Sequence, residues 1–445
     1  MELNGLHSLV VGMERSGVAA TDFLLSRGAR VTAVDQKPFG ELGQAAQALR
    51  DRGVEFRLQR DGGFESFDLI IVSPGVPADI PELEAARARG VRVIGEVELA
   101  APFLKGSTIG ITGSNGKTTT TALTAHILSE AGVPVQVGGN IGSPVIGMVE
   151  TSREDQWNVL ELSSFQLETI DTFRPDIAVI LNITQNHLDR HYAMARYADA
   201  KARILDRQTP SDYAVLNAAD SFSDQLSGRG AARHVWFNLP GQLAEGMLWF
   251  RGEPVIRAAD VPIRGRHNLE NALAAVSASF VAGVPLQATA AAIRSFKAVE
   301  HRLEFVRRLS EIDFYNDSKA TSVDATLKAL DAFENGLWVI LGGKDKGSDY
   351  VPLRGPLAAK GKAALLIGSA ASKIRNALEG AVDLVSSETL DRAVRTAYSR
   401  AVTGDTILLA PACSSFDQFS SYEQRGRVFK DLVSSLEPKE YGSAA

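Results

Sequence analysis

Short apolar runs separated by longer amphipathic stretches repeat along most of the chain. Ser8 to Val11 is such a run, closed by Gly12, and the helical stretch Ala19 to Leu25 follows it. A second run, Arg30 to Val34, ends in Asp35; Leu69 to Val72 and Val91 to Ile94 continue the series up to Gly95. Runs without a polar face, alternating with helices, predict a parallel sheet covered by crossover helices. Ser107 to Thr112 opens a second such unit, with further strands predicted at Asn158 to Leu162 and Ile177 to Leu181. From about Tyr213 to Arg264 the pattern changes to short strands with turns, such as His234 to Phe237 and Met247 to Phe250. This predicts an antiparallel addition at one edge of the second sheet. Alternation restarts with Ile312 to Tyr315, Trp338 to Leu341, Ala364 to Ile367 and Thr406 to Leu409. The pattern predicts three α/β units.

Composition agrees with that number. The chain has 445 residues, and about 150 residues per domain gives roughly three domains. Apolar residues make up 45% and charged residues 22%, which excludes a disordered chain. A formal net charge of −6 provides no basic field for nucleic acid. The single cysteine, Cys413, excludes an internal disulfide or a multi-cysteine zinc site and fits a reducing compartment; a small buried residue beside a strand end is its plain reading. The N-terminal MELNGLHSLVVGM lacks a cationic start, long apolar core and small-residue cleavage site. Asn271 to Ile293 carries no charge, but its alanine content and the Gly283-Val284-Pro285 break predict a buried helix, a turn and a second helix. A cytoplasmic chain without stable membrane insertion is expected.

The strongest local signal is GSNGKTTT, Gly113 to Thr120, between an apolar strand and the helical run Thr121 to Leu128. Backbone N–H groups of such a turn receive phosphate at a helix N-terminus. Lys117 would neutralise β- and γ-phosphates, and the Thr118 hydroxyl would reach Mg²⁺. Ile111 occupies the place of the first glycine in the strict GxxxxGK[ST] pattern, so a Gly/Asn turn with a lysine at a helix start stands beside the phosphate reading. A weaker relative of this turn is Gly12 to Gly17, with Asp35 ending the next strand. Glu14 occupies the second glycine position of GxGxxG and disfavours a dinucleotide.

Glu161 ends the Val159-Leu160 run, at the strand edge where α/β sheets place ligands. Beside a phosphate loop it would complete a Mg²⁺ shell with Thr118; a partly exposed strand-end carboxylate is the plainer reading. NITQNHLDRH, Asn182 to His191, puts His187 at the same edge, as a ligand or as a structural histidine. In the helix around Lys201, Met194, Tyr197, Ile204 and Leu205 form an apolar stripe, and Lys201 falls inside it. Either its ammonium snorkels outward, or it is buried with a depressed pKa and its neutral amine takes up CO₂ as a carbamate.

These motifs, with YADAK (Tyr197 to Lys201), LELSSFQLE (Leu160 to Glu168), GRHNLENALAA (Gly265 to Ala275), EHRLE (Glu300 to Glu304), NDSKAT (Asn316 to Thr321), LGGKDKG (Leu341 to Gly347) and PACSSFDQFSSYEQRG (Pro411 to Gly426), resemble the Mur ligase family, in family order and over nearly the whole chain. SSFQLE and NDSKAT resemble the branch that adds D-glutamate. The resemblance implies three domains: Rossmann-like and UDP-binding over 1–95, P-loop ATPase-like with the antiparallel addition over 96–299, and a Rossmann-like α/β ligase domain over 300–445. It implies ATP on Gly113, Ser114, Asn115, Gly116, Lys117, Thr118 and Thr119, with Asn268, Asn271, Arg302 and Asp317. Two Mg²⁺ ions would be served by Thr118, Glu161, His187 and carbamylated Lys201. Lys117, Glu161, His187 and Lys201 are the catalytic set. Ser16, Asp35, Ser73, Pro74, Gly75 and Asn140 would lie against the UDP-sugar, and Lys319, Thr321, Lys346, Ser415 and Tyr422 on the D-glutamate side.

The implied reaction joins D-glutamate to UDP-N-acetylmuramoyl-L-alanine through an acyl phosphate and a tetrahedral intermediate, by a monomeric enzyme. Asn186 stands where the family usually has Asp, removing a charge beside His187, and Tyr422 stands where Phe is also found. Three other readings stand beside this one. They are a sister ligase with another acceptor, a nucleotide-binding regulatory protein without ligation, and a Rossmann dehydrogenase, which Glu14 disfavours.

Overall fold

The structure is a computed structural model that describes residues 1–439. Contacts divide it into two compact units. One comprises Met1–Ala258 with Glu270–Arg294; the other comprises Ala259–Leu269 with the described residues from Ser295 onward.

The first unit holds two parallel sheets. In the first, β1 (His7–Val11), β2 (Arg30–Asp35), β3 (Glu55–Leu58), β4 (Leu69–Val72) and β5 (Arg92–Gly95) lie in the order β3-β2-β1-β4-β5, every pair parallel. Alternate residues serve opposite faces. Leu9 and Val11 pack with Ile70, Val72 and Leu83, whereas Val10 and Ile71 pack with Phe23 and Leu24 of the Arg15–Ser26 helix. Burial on both faces is why these strands carry no polar stripe. Half-exposed β3, at the edge, carries charges instead, and the apolar pattern passes over it.

The second sheet contains β6 (Ser107–Thr112), β7 (Val135–Gly139), β8 (Trp157–Glu161), β9 (Ile177–Ile180), β10 (Tyr213–Asn217) and β11 (Arg233–Phe237), in the order β11-β10-β9-β6-β8-β7. All pairs are parallel. Here the structure corrects the expected antiparallel edge. His234 to Phe237 belongs to β11, a parallel strand of the main sheet. The short helix Ser221–Leu226, capped by the Asp220 carboxylate on Phe222 N–H, carries the chain back across the sheet and makes parallel pairing possible. The antiparallel addition is confined to β12 (Leu243–Ala244), β13 (Met247–Phe250) and β14 (Glu253–Arg257), a separate three-stranded sheet. The uncharged stretch forms helices Arg266–Val281 and Leu286–Ser295. Among the described residues, no helix is long and apolar enough to cross a membrane.

One apolar core runs through both sheets of this unit, from Leu3 to Leu226. Two buried carboxylates join the sheets near Gly95. Glu98 accepts hydrogen bonds from the N–H groups of Asp171, Thr172 and Phe173 and from the Thr172 hydroxyl. Glu96 accepts from Ile146 N–H at 2.6 Å, and its other oxygen is buried without a hydrogen-bond partner. Burial pushes the Glu96 carboxyl up to about 7.

The second unit is built on β15 (Glu304–Leu309), β16 (Ile312–Asn316), β17 (Leu337–Gly342), β18 (Gly361–Ile367), β19 (Asp383–Glu388) and β20 (Thr406–Leu409), in the order β15-β16-β20-β17-β18-β19. Only the β15–β16 pair is antiparallel. Apolar clusters cover both faces.

Candidate active site

Gly113 to Lys117 forms the turn between β6 and the helix Lys117–Glu130. The turn is fastened to the segment after β9: Ser114 N–H donates to Asn182 O, Ser114 Oγ donates to Thr184 O, and Asn115 N–H donates to Asn182 Oδ1. Gly116 sits at φ +84°, and a Cβ there would lie 2.2 Å from the Asn271 side-chain oxygen. Both facts require glycine. No side-chain cap closes the helix N-terminus, the arrangement in which backbone N–H groups receive phosphate oxygens. Lys117 Nζ folds back on Gly113 O at 2.8 Å and Ser114 O at 3.1 Å. Thr118 is buried in the first turn.

Lys201 does not snorkel. It is 1% exposed on the helix Met194–Ala202, donating to Gly113 O at 2.8 Å with Nζ 4.7 Å from the centre of the Tyr197 ring. Burial foremost, then the nearby Lys117 charge, lowers its pKa well below the ordinary lysine value, while Glu161 works the other way. The stem is packed too deeply for the ammonium to reach water. Tyr197 completes the floor, its hydroxyl 3.0 Å from Ser114 Oγ.

Glu161 is buried too, contrary to the plain strand-end reading. Its Oε1 accepts from Asn140 Nδ2 at 2.8 Å, and its Oε2 has no hydrogen-bond partner. Gly139 makes this pairing possible: at φ +99°, a Cβ there would meet Glu161 O at 2.3 Å. The segment after β9 delivers His187, exposed and at φ +52°, with its ring 5.0 Å from that of Phe165. Asn186 turns its side-chain oxygen to His187 N–H at 3.0 Å. Among the described residues, no three His, Cys, Asp or Glu side chains cluster as a ready-made metal cage. The orphaned Glu161 oxygen and the Thr118 hydroxyl nevertheless suit a hard divalent cation.

A cleft of about 410 Å³ opens on the other side of Asn140. Ser16, Asp35, Ser73, Pro74, Gly75 and Asn140, all singled out from the sequence, line it together. Asp35 caps the first glycine turn, accepting from Met13 N–H at 2.7 Å and Lys37 N–H at 2.9 Å. Ser73 Oγ donates to Gly12 O at 2.6 Å. Glu14 projects into solvent, 3.8 Å from Lys37. The sequence reading missed Arg15, Lys37 and Gln166 in the lining. Lys37 had a signal, standing two residues past a strand-end aspartate. Arg15 and Gln166 stand inside motifs already read, the Gly12 to Gly17 turn and LELSSFQLE, but their place in the lining depends on packing between the two sheets.

In the second unit, Asp317 to Thr321 follow β16, Lys346 follows β17 and Ser415 follows β20, three neighbouring strands with one carboxyl edge. Lys319 Nζ lies 5.5 Å from the centre of the Tyr422 ring. Lys344 N–H donates to Ser414 O, and Ser414 Oγ donates back to Lys344 O, which draws the segments carrying Lys346 and Ser415 together. Ala412 holds a left-handed φ of +57° in that segment, a strain that ligand sites tolerate. Cys413 is buried, its thiol 3.0 Å from the Tyr350 hydroxyl. Burial raises Asp317 to about 6, against the lowering effect of Arg302. Asn268, on the start of the Arg266–Val281 helix, donates to Arg264 O.

Comparison with known proteins bears on the whole chain. Residues 6–95 match a "Mur ligase MurD-like, N-terminal domain" model, 111–279 a "Mur ligase middle domain" and 301–413 a "Mur ligase, glutamate ligase domain". The UDP-N-acetylmuramoylalanine–D-glutamate ligase of Solibacter usitatus is 61% identical over 99% of this chain and 100% of its own length. That of Acidobacterium capsulatum is 53% identical over 97% of each. The UDP-N-acetylmuramate–alanine ligase structure from Thermotoga maritima is similar in fold, with a TM-score of 0.59 and 19% identity over 97% of this chain and 99% of that one.

Proposed function

The chain belongs to the Mur ligase family, and on that premise we propose that it joins D-glutamate to UDP-N-acetylmuramoyl-L-alanine in peptidoglycan precursor synthesis, with hydrolysis of ATP to ADP and phosphate. The observation that carries this reading is the Asn140–Glu161 hydrogen bond. Asn140 lines the cleft suited to a sugar nucleotide, and Glu161 ends the strand beside the phosphate turn. A carboxylate at the inner end of the cleft would therefore meet a triphosphate across a single side-chain contact.

The family is ATP-dependent, and a carboxylate needs that activation, being a poor electrophile. Its oxygen attacks the γ-phosphorus, ADP leaves, and the resulting acyl phosphate presents an electrophilic carbon. The D-glutamate amine, having lost a proton, adds to that carbon; the tetrahedral intermediate expels phosphate and leaves the amide. Lys117 and the turn's backbone N–H groups hold the phosphates and stabilise charge as it moves to the leaving oxygen. Two Mg²⁺ ions, held by Thr118, Glu161, His187 and Lys201 as its carbamate, would offset repulsion between carboxylate and triphosphate. A depressed Lys201 pKa supports carbamate formation, since the neutral amine is the form that adds CO₂ with loss of a proton.

Ser16, Asp35 and the Ser73–Gly75 turn hold the UDP-sugar; Asn268, Asn271, Arg302 and Asp317 contact the nucleotide. Lys319, Thr321, Lys346, Ser415 and Tyr422 receive D-glutamate, two ammonium groups facing its two carboxylates. The working domains are 1–95, 96–299 and 300–445, in a monomeric cytoplasmic enzyme. The test is phosphate release from ATP with UDP-N-acetylmuramoyl-L-alanine fixed and the amino acid varied. Release with D-glutamate, and not with L-glutamate, L-lysine or diaminopimelate, is the expected result. Release that does not need D-glutamate would sink the assignment.

A further inference from the structure

His191 does something that the proposed chemistry does not use. Its ring is 3% exposed, with Nδ1 3.1 Å from Glu168 Oε1 and Nε2 2.9 Å from Ser164 Oγ. The Glu168 carboxylate stands at ion-pair distance from Nδ1, and Nε2 shares a hydrogen bond with the Ser164 hydroxyl. Serine, histidine and carboxylate in this order have the spacing of a hydrolytic triad. Ser164, however, is itself 3% exposed under the ring, and Glu168 is shared with Arg190 at 3.0 Å. A hydroxyl that meets no substrate is not a nucleophile. The array has another product: it fastens one short turn of chain to the Ser163–Glu168 segment.

That turn is Leu188–His191, and both of its flanks are strained. His187 holds φ +52° and Tyr192 φ +62°, conformations that non-glycine residues keep only when their surroundings impose them. The His191 N–H donates to His187 O at 2.9 Å, so anchoring one end of the turn sets the other. Phe165 packs into the same assembly, stacked on His191 at 5.5 Å and edge-on to His187 at 5.0 Å. Arg190 spans from Glu168 to Val76 O at 2.8 Å, in the wall of the sugar-nucleotide cleft.

We propose that His191 is a positioning residue for ligation: held by Ser164 and Glu168, it locks the Leu188–His191 turn and thereby fixes where His187 stands. The proposal rests on the reading of His187 as a group that serves the phosphate side. His191 touches no reacting atom; its effect passes through the backbone of the turn. Removing the ring's contacts to Ser164 and Glu168 while keeping an aromatic ring frees the turn to relax from its left-handed flanks.

The test compares His191→Phe, which keeps the stack on Phe165, with the parent chain in two measurements. In the ligand-free protein, amide hydrogen exchange over residues 187–193 is expected to quicken at least tenfold, with the sheets unchanged. In the full reaction, half-saturation by Mg²⁺ is expected to rise several-fold and kcat to fall about tenfold, with the KM for D-glutamate unmoved. His191→Gln, whose amide reaches Ser164, restores part of both. Ser164→Ala provides a second route should the ring change prevent folding, and shows the same effects in smaller measure. Unchanged exchange in these variants overturns the lock. Faster exchange with an unchanged Mg²⁺ dependence overturns the positioning role, provided that His187→Ala does shift that dependence. If His187→Ala does not shift it, the assignment of His187 fails while the lock stands.

Discussion

Two turns in the first unit are built alike and charged differently. Each follows a central parallel strand, β1 or β6, with a positive-φ glycine directly behind it, Gly12 at +88° and Gly113 at +155°; the first helix then opens from Glu14 in extended conformation and the second from Gly116 at +84°. At the first, Glu14 stands at the helix start and points to solvent, and Asp35 accepts a hydrogen bond from Met13 N–H in the turn. At the second, Lys117 and Lys201 both donate to Gly113 O, and the nearest carboxylate, Glu161, keeps one oxygen unpaired. A shared order of strand, glycine and helix therefore does not decide what a turn binds. Side-chain charge around the turn is what differs: the first carries carboxylates, whereas the second carries two lysines, the setting that suits a phosphate.

The widest break in this comparison comes from removing its cations. Lys117→Ala should lower kcat/KM for ATP by about 10³-fold, while Glu14→Gly at the other turn leaves ATP use unchanged and confers no NAD binding; isothermal titration with both nucleotides checks this. Lys201→Ala should cost about 10²-fold in turnover, regained in part by added formate or acetate. No rescue in such a titration would remove the carbamate from the account. Asp35→Ala should raise the KM for the UDP-sugar about tenfold, equivalent to ~1.4 kcal/mol, with the KM for ATP held constant. An equal rise in both would mean that the two turns are not separate sites.

The smallest effect concerns the seam between the two sheets. Glu96 has an ordinary value of 4.5 and is raised to about 7 in the folded chain. Between these values the folded state keeps a proton that the unfolded state has released, so stability falls as pH rises through that window. Glu96→Gln should flatten this slope. Its melting temperature should match the parent's near pH 4 and exceed it by a few degrees at pH 8, measured by scanning calorimetry.

Strands buried on both faces were readable from the chain because burial leaves an unbroken apolar run: Leu69 to Val72 and Ile177 to Ile180 are such cases. Edge strands were not. Glu55–Leu58 and Asp383–Glu388 carry charges on their open sides, and β11 reads from the sequence as part of the antiparallel addition because its crossover helix is so short. Lys201 announced itself as a misplaced charge in an apolar stripe, but the stripe does not tell burial from snorkelling; Gly113 O and the Tyr197 ring decide it. The cleft residues were named through resemblance, and their convergence needs the fold. Asn140 and Glu161 lie 21 residues apart, and only parallel pairing of β7 with β8 brings the segments together. Nor does any local pattern reveal that Ser164, Glu168 and His191 meet.

The Asn140–Glu161 contact also has a thermodynamic consequence. On the proposed assignment of the two sites, a side-chain amide that faces one ligand and holds a carboxylate facing another would make the two binding equilibria interdependent. Whatever factor the sugar nucleotide applies to ATP affinity, ATP must return to the sugar nucleotide. Cutting that one amide with Asn140→Ala is expected to weaken the coupling by the same factor in both directions.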